Sequence, residues 1–201
     1  MTVNYVRVPG EHIELLQKDL IDAWCDLNPN KDYPDTYPPT VDDILYDLTG
    51  DVEILNMNDP AALAWLVSPL KREEKRRGPL VSSLHKDPWP ALDLPLVAIE
   101  GRAALRVPAV DFGLGQGAAF DPTTVQKLSR ALSQITLDDL FRNFDYDTMQ
   151  GMDLLGFDDK EEERATNERL ARESFGHELR ERQEFYHRAA ASGQYVIVAF
   201  A

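Results

Sequence analysis

Prolines are segregated along this chain: all 13 fall between Pro9 and Pro122, and none follows in the last 79 residues. Proline has no amide hydrogen and its ring clashes with the preceding helical turn. The first three-fifths should therefore be rich in turns and short elements, while the remainder is free to form long helices. Within the first part, Tyr5 to Val8 reads as a strand stopped by Pro9-Gly10. Ile13, Leu16, Leu20, Trp24 and Leu27 then fall at helical spacing, and Pro29 ends the run. Thr40 with Asp43 forms a capping-box pattern before Ile44, Leu45 and Leu48, and a short strand is expected at Val52 to Leu55. Asp59-Pro60 opens a helix whose apolar stripe is Leu63, Leu66, Val67 and Leu70.

Beyond the irregular Gly78 to Pro95 stretch, Leu96 to Ile99 and Ala103 to Val107 suggest strands or a hairpin. Asp121-Pro122 starts a helix with Val125, Leu128, Leu132 and Ile135 on one face, and Thr136 caps another carrying Leu140, Phe141 and Phe144. Lys160 to Ala191 is a Glu- and Arg-rich helical region with Leu170, Phe175, Leu179, Tyr186 and Ala189 expected to face inward; Gly176 suggests a division into two helices. After Gly193, Tyr195 to Phe200 is apolar on both faces, which suits an inner strand and not an exposed edge. These elements predict an α+β fold, with several helices packed on a small mixed sheet that includes the N- and C-terminal strands. At 201 residues and 43% apolar composition, a single domain over 1–201 is expected.

The net charge of −14 sits in two blocks. Asn30 to Glu53 carries −6 and Asp138 to Glu163 carries −8, while the rest balances at 18 acids and 18 bases. A field of this sign repels a phosphate backbone, so direct nucleic-acid binding is disfavoured. The basic run Lys71 to Arg77 contains two glutamates and follows a predicted helix, where cations complement the helix dipole. No apolar run approaches the ~18 residues that span a bilayer, and the N-terminus lacks a secretory pattern, so no membrane association and a cytosolic address are expected. Cys25 is the only cysteine, which excludes an internal disulfide.

No complete catalytic constellation emerges. Gly113-Leu114-Gly115-Gln116-Gly117-Ala118 matches a dinucleotide-binding spacing, but Pro122 starts the helix too late and no βαβ unit follows, so these glycines read as a turn. Glu184-x-x-His187 has the spacing of a carboxylate-bridged metal site yet lacks the second copy such sites use. Cys25, beside Trp24 in an apolar helix, is expected to be buried and inert. Neither a cofactor nor a metal is therefore expected.

Taken together, Asp111 to Pro122, the Val125 to Leu132 helix, Thr136 to Asp145, and Leu179 to Gly193 followed by an apolar strand resemble the YfbM-like family of small bacterial proteins. Tyr5 to Pro9 is similar to that family's opening, while Leu154 to Phe157 departs from its usual Ile-Tyr-Pro element. The resemblance implies a compact bacterial cytosolic protein with both helices and strands. It transfers no catalytic residues, because the family's function is unknown.

The expected function is non-catalytic binding of a basic protein partner through an acidic face, in the manner of a toxin-neutralising or immunity-type protein. Its candidate residues are Asp138, Asp139, Asp145, Asp147, Asp158 and Asp159. The alternative is an enzyme or a binder of small anions with a pocket near the Gly113 to Gly117 turn, to which His85 or Trp89 would contribute.

Overall fold

The computed structural model describes residues 2–31, 38–48, 52–58, 60–69, 71–72, 93–101, 105–111, 113, 116–157 and 161–200. Asp59, the basic run from Glu73 onward, His85, Trp89, Asp158 and Asp159 lie outside them. Two compact units form, one from 1–59, 101–127 and 185–201, the other from 60–100 and 128–184.

The first unit contains a five-stranded sheet. Its strands are β1 (Thr2–Val8), β2 (Glu53–Asn58), β3 (Leu105–Asp111), β4 (Gln116–Phe120) and β5 (Tyr195–Phe200), in the order β2-β1-β5-β4-β3. The first and last strands are both included, as expected, and β5 is the middle one. All four pairings are antiparallel, so the sheet is simpler than the mixed arrangement the sequence suggested. Parallel neighbours require a crossover between them, whereas β3 and β4 are joined directly. Pro108 sits inside β3, where the register shifts between Val107 and Asp111. An edge strand tolerates the missing amide there.

Each face of β5 has its own cover, which explains its continuous apolar sequence. On one face, Ile197 and Ala199 join Val6, Val8, Val107, Ala109 and Ala119 against Ile13, Leu16, Trp24, Ile44 and Leu45. These last residues come from α1 (Ile13–Leu16), α2 (Leu20–Leu27) and α3 (Val41–Asp47). The single helix expected from Ile13 to Leu27 is broken, because Asp19 accepts the Asp22 amide at 2.9 Å and starts α2 anew. Cys25 proves exposed, contrary to expectation: Ala23 and Trp24 take the inward face of α2 and turn Cys25 outward. α3 has the predicted capping box, with Thr40 and Asp43 each satisfying the other's amide.

On the opposite face, Tyr5, the cross-strand neighbour of Val198, lies 6.2 Å from Phe185 and 6.3 Å from Tyr186 between ring centres. Arg7, paired in register with Glu53, is nearly buried. Its Nε donates to Glu53 Oε2 at 2.6 Å and its Nη1 to Gln194 Oε1 at 2.7 Å. Arg188 completes the cluster with a 2.6 Å bond to Glu53 Oε1. Burial pushes the Glu53 carboxyl up, but hydrogen bonds from Arg188 and Arg7 and their positive charges outweigh it and hold its pKa below the ordinary value.

The second unit is helical among its described residues. It holds α4 (Ala61–Val67), α5 (Leu94–Glu100), α7 (Leu137–Arg142), α8 (Tyr146–Gly151), the C-terminal part of α6 (Pro122–Ser133) and most of α9 (Arg164–Ala191). Leu63, Trp65, Leu66, Leu96, Ile99, Leu140, Phe144, Met149, Phe175 and Leu179 form its core. The Leu96 to Ile99 run is helical and not a strand. Asp93 accepts the Leu96 amide at 3.2 Å, and Pro95 fits the first turn, where its missing amide costs nothing. Lys71 and Arg72, the described start of the basic run, are helical and half-buried, and Arg72 Nη1 donates back to the Trp65 and Leu66 carbonyls of α4 at 2.9 Å each.

α9 is one 28-residue helix, and Gly176 does not divide it. Leu170 is 42% exposed, because the buried stripe runs through Asn167, Ala171, Phe175, Glu178, Leu179 and Arg182. Half of that stripe is polar, so apolar spacing alone misplaces it. Arg182 is 0% exposed and its Nη1 donates to Glu178 Oε2 at 3.2 Å. At the far end, Gly193 (φ 63°) makes the predicted C-terminal stop, with the Gln194 amide returning to the Ala189 carbonyl at 3.0 Å. No helix among the described residues is long and apolar enough to cross a membrane.

Three substitutions test this packing. A Cβ on Gly117 in β4 would sit 2.8 Å from Ile197 Cγ2 and 2.9 Å from the Val110 carbonyl, so Gly117→Ala should cost about 2 kcal/mol by chemical denaturation. Gly151→Ala, with nothing within 4 Å, should be neutral or better. Glu53→Gln should cost roughly 2 kcal/mol at neutral pH, below the range for a fully buried pair because the site is partly exposed. A carboxylate of lowered pKa stabilises above its unfolded pKa and ceases to as pH falls through its folded value. Melting curves of Glu53→Gln and the parent should therefore converge under strongly acidic conditions.

Candidate functional site

The acidic segment folds into α7 and α8, and its carboxylates are put to different uses. Thr136 precedes α7: its hydroxyl accepts the Asp139 amide at 3.1 Å, and Asp139 Oδ2 accepts the Thr136 hydroxyl at 2.7 Å and amide at 3.2 Å. Those bonds, hydroxyl first, with Arg142 alongside, lower the Asp139 pKa. Asp145 caps α8 by accepting the Thr148 amide at 2.7 Å, and this bond, that of the Thr148 hydroxyl and the Arg164 charge lower its pKa too. Asp147 pairs with Arg164 Nη2 at 2.6 Å, and that guanidinium also lies 5.6 Å from the Tyr146 ring centre. Asp138 is exposed and has no partner among the described residues. The structure thus places Asp138 and Asp139 on α7, Asp145 at the start of α8 and Asp147 within it, while Asp158 and Asp159 fall outside the described residues.

Capping does not remove charge. A carboxylate that accepts amide and hydroxyl bonds is stabilised in its ionised form, so Asp139 and Asp145 stay negative at lower pH than an ordinary aspartate. The Thr-x-x-Asp and Asp-x-x-Thr spacings are the sequence signals for this double duty.

The glycine segment is arranged differently from the turn that was expected. Gly113 (φ 106°) lies in a turn and donates its amide to Asp111 Oδ1 at 2.8 Å, whereas Gly117 lies within β4. A carboxylate therefore occupies the Gly113 amide, while Leu114 and Gly115 lie outside the described residues. No group of three or more His, Cys, Asp or Glu side chains suited to a metal occurs among the described residues. Glu184 and His187 are both exposed on α9, and His177 makes a surface pairing with Glu181 at 3.9 Å.

One groove was missed by sequence reasoning. Of about 440 Å³, it lies between α3 and β2 and is lined by Asp42, Leu45, Tyr46, Leu48, Val52 and Ile54. Its sequence signal was the aromatic Tyr46 on the otherwise acidic outer face of α3.

An antiparallel sheet with the C-terminal strand at its centre, accompanied by a helical unit and exposed capping carboxylates, defines an α+β protein without a recognisable catalytic centre among the described residues. Residues 80–199 match the family DUF1877, described as a domain of unknown function, and the chain belongs to that family. Among solved structures, it is similar to a protein of unknown function, YfbM from Escherichia coli, with 14% identity, 100% of each chain covered and a TM-score of 0.58. At that identity the likeness establishes the fold alone. No curated protein matches the chain.

A substitution pair separates capping from charge at α8. Asparagine caps a helix about as well as aspartate, and alanine does not. Asp145→Asn should therefore leave the melting temperature near that of the parent, while Asp145→Ala should lower it measurably.

Proposed function

We propose that this protein works without catalysis, binding a cationic protein partner through the acidic surface of α7 and α8. The observation that carries this reading is the exposure of Asp138, Asp145 and Asp147 together with the partly exposed Asp139, within a segment of net charge −8. Two short helices hold these carboxylates, and capping bonds keep Asp139 and Asp145 ionised to lower pH than an ordinary aspartate. Clustered negative charge accelerates encounter with a basic partner and can occupy a site built for phosphate. Neutralising a basic toxin or nuclease is one concrete form of this activity. We infer a cytosolic setting from the single cysteine, which leaves no internal disulfide to form.

The triple substitution Asp138→Asn, Asp145→Asn and Asp147→Asn retains the α8 cap while removing three charges. In affinity capture at ~0.15 M salt, where screening extends over ~8 Å, the parent should retain a basic protein that the triple variant loses. Association with that protein should be about tenfold slower for the variant. Unchanged capture and rate would remove the acidic surface from consideration.

A further inference from the structure

We propose that the groove between α3 and β2 receives an extended segment of a cationic protein, which adds as a strand along the outer edge of β2. This deepens the reading of the chain as a binder of basic proteins, using residues other than those of α7 and α8.

The two edges of the sheet are unlike each other. Edge strands expose unpaired amides and carbonyls, and proteins usually blunt them with proline, lysine or a bulge. β3, at one edge, has Pro108 and a break in register. β2, at the other, reads Glu-Ile-Leu-Asn-Met-Asn, contains neither proline nor lysine, and keeps an unbroken register with β1 from Asn58 to Glu53. Among the described residues no strand pairs with its outer side. Such an edge can accept a further strand.

Beside that edge lies the groove, whose apolar walls are Leu45, Leu48, Val52 and Ile54. Ile54 is 38% exposed and Tyr46, at the rim, is 90% exposed. An aromatic ring this open is disposed to cover a partner and adds little to the core. Side chains of an added strand would alternate between the two faces of the sheet, so every second one would reach the groove side.

Charge selects the occupant. Neither α3 nor β2 carries a Lys or Arg. Asp43 is held by Thr40, and Asp47 accepts Asn28 Nδ2 at 3.0 Å, which leaves Asp42 as the lining carboxylate with no hydrogen bond among the described residues. An apolar residue in the groove, with a neighbouring Lys or Arg reaching Asp42 or the face of Tyr46, satisfies both requirements. Glu53 of β2 is already met by Arg7 and Arg188, but a second copy of this chain would bring its own α3, with Asp42, Asp43 and Asp47, against the same acidic helix, and like charges oppose that pairing.

The probe is a capped peptide of about eight residues, the length of a typical strand, alternating Lys and Val. It is compared with the same peptide N-methylated at alternate residues, which keeps the charge but blocks strand pairing on one side. Titration into the full chain should show binding that slows hydrogen exchange at β2 amides. N-methylation should weaken it at least about tenfold, and Tyr46→Ala and Asp42→Asn each by roughly threefold, in line with the worth of an exposed contact. Because Tyr46 and Asp42 are exposed, both variants should fold. Equal binding of the methylated peptide, unchanged β2 exchange, or a β2-mediated dimer that the peptide fails to disrupt would overturn the proposal. If only the Asp138, Asp145 and Asp147 triple variant loses the peptide, the groove is wrong and the α7 and α8 surface stands. Loss confined to Tyr46→Ala and Asp42→Asn supports the groove, and the α7 and α8 surface is then judged by its own capture experiment.

Discussion

The sheet of the first unit depends on β5, because it is the strand through which the other four are joined. β1 and β2 pair with each other on one side of it, β3 and β4 on the other. Without β5 these would be two separate two-stranded ribbons, and an isolated ribbon is at best marginally stable in water. Both covered faces pass through the same strand: Ile197 and Ala199 belong to the core with α1, α2 and α3, while Val198 lies across from Tyr5 and its aromatic neighbours on α9. Pairing Val3 with Phe200 closes a loop of nearly the whole chain. Its closure entropy must be met before the contacts form, which predicts slow folding.

Two charged clusters show how burial decides what an ion pair does. At the β1 and β2 edge, one carboxylate, Glu53, is shared by Arg7 and Arg188, and the site remains open to water on the Arg188 side. Its gain is moderate and depends on pH. In the second unit, Arg182 and Glu178 are paired within α9 with almost no exposure. Desolvating two charges offsets most of their attraction, so the pair contributes little net stability even though removing one member would be severe. Its consequence is orientation: a buried guanidinium on the inward stripe fixes which face of α9 turns to the core.

Much of this architecture was legible in the residues, and each failure has an identifiable cause. The capping box at Thr40, the Thr136 cap, the Asp121-Pro122 start, the Gly193 stop and the buried last strand follow from local rules about amides and φ angles, and all are found. Leu96 to Ile99 was misassigned because a short apolar run has no readable period; the cap at Asp93 was the signal that should have decided it. Leu170 and Cys25 were misplaced because polar side chains at Asn167, Glu178 and Arg182, and the inward pair Ala23 and Trp24, set the faces of their helices. Asp139 and Asp145 were legible as charge but not as caps. The groove arises from β2 and α3 meeting in space, and Tyr46 was its one trace in the sequence.

The groove and the β2 edge proposed to take a partner belong to the sheet of the first unit, so that sheet's dependence on β5 is the claim to test first. Native-state hydrogen exchange across a denaturant series resolves it strand by strand. The account predicts that β5 amides exchange only through the same opening that releases β1 and β4, at the highest free energy in the first unit. If β5 opened at a lower free energy while β1 and β2 stayed protected, the sheet would not depend on its middle strand and the account would be contradicted.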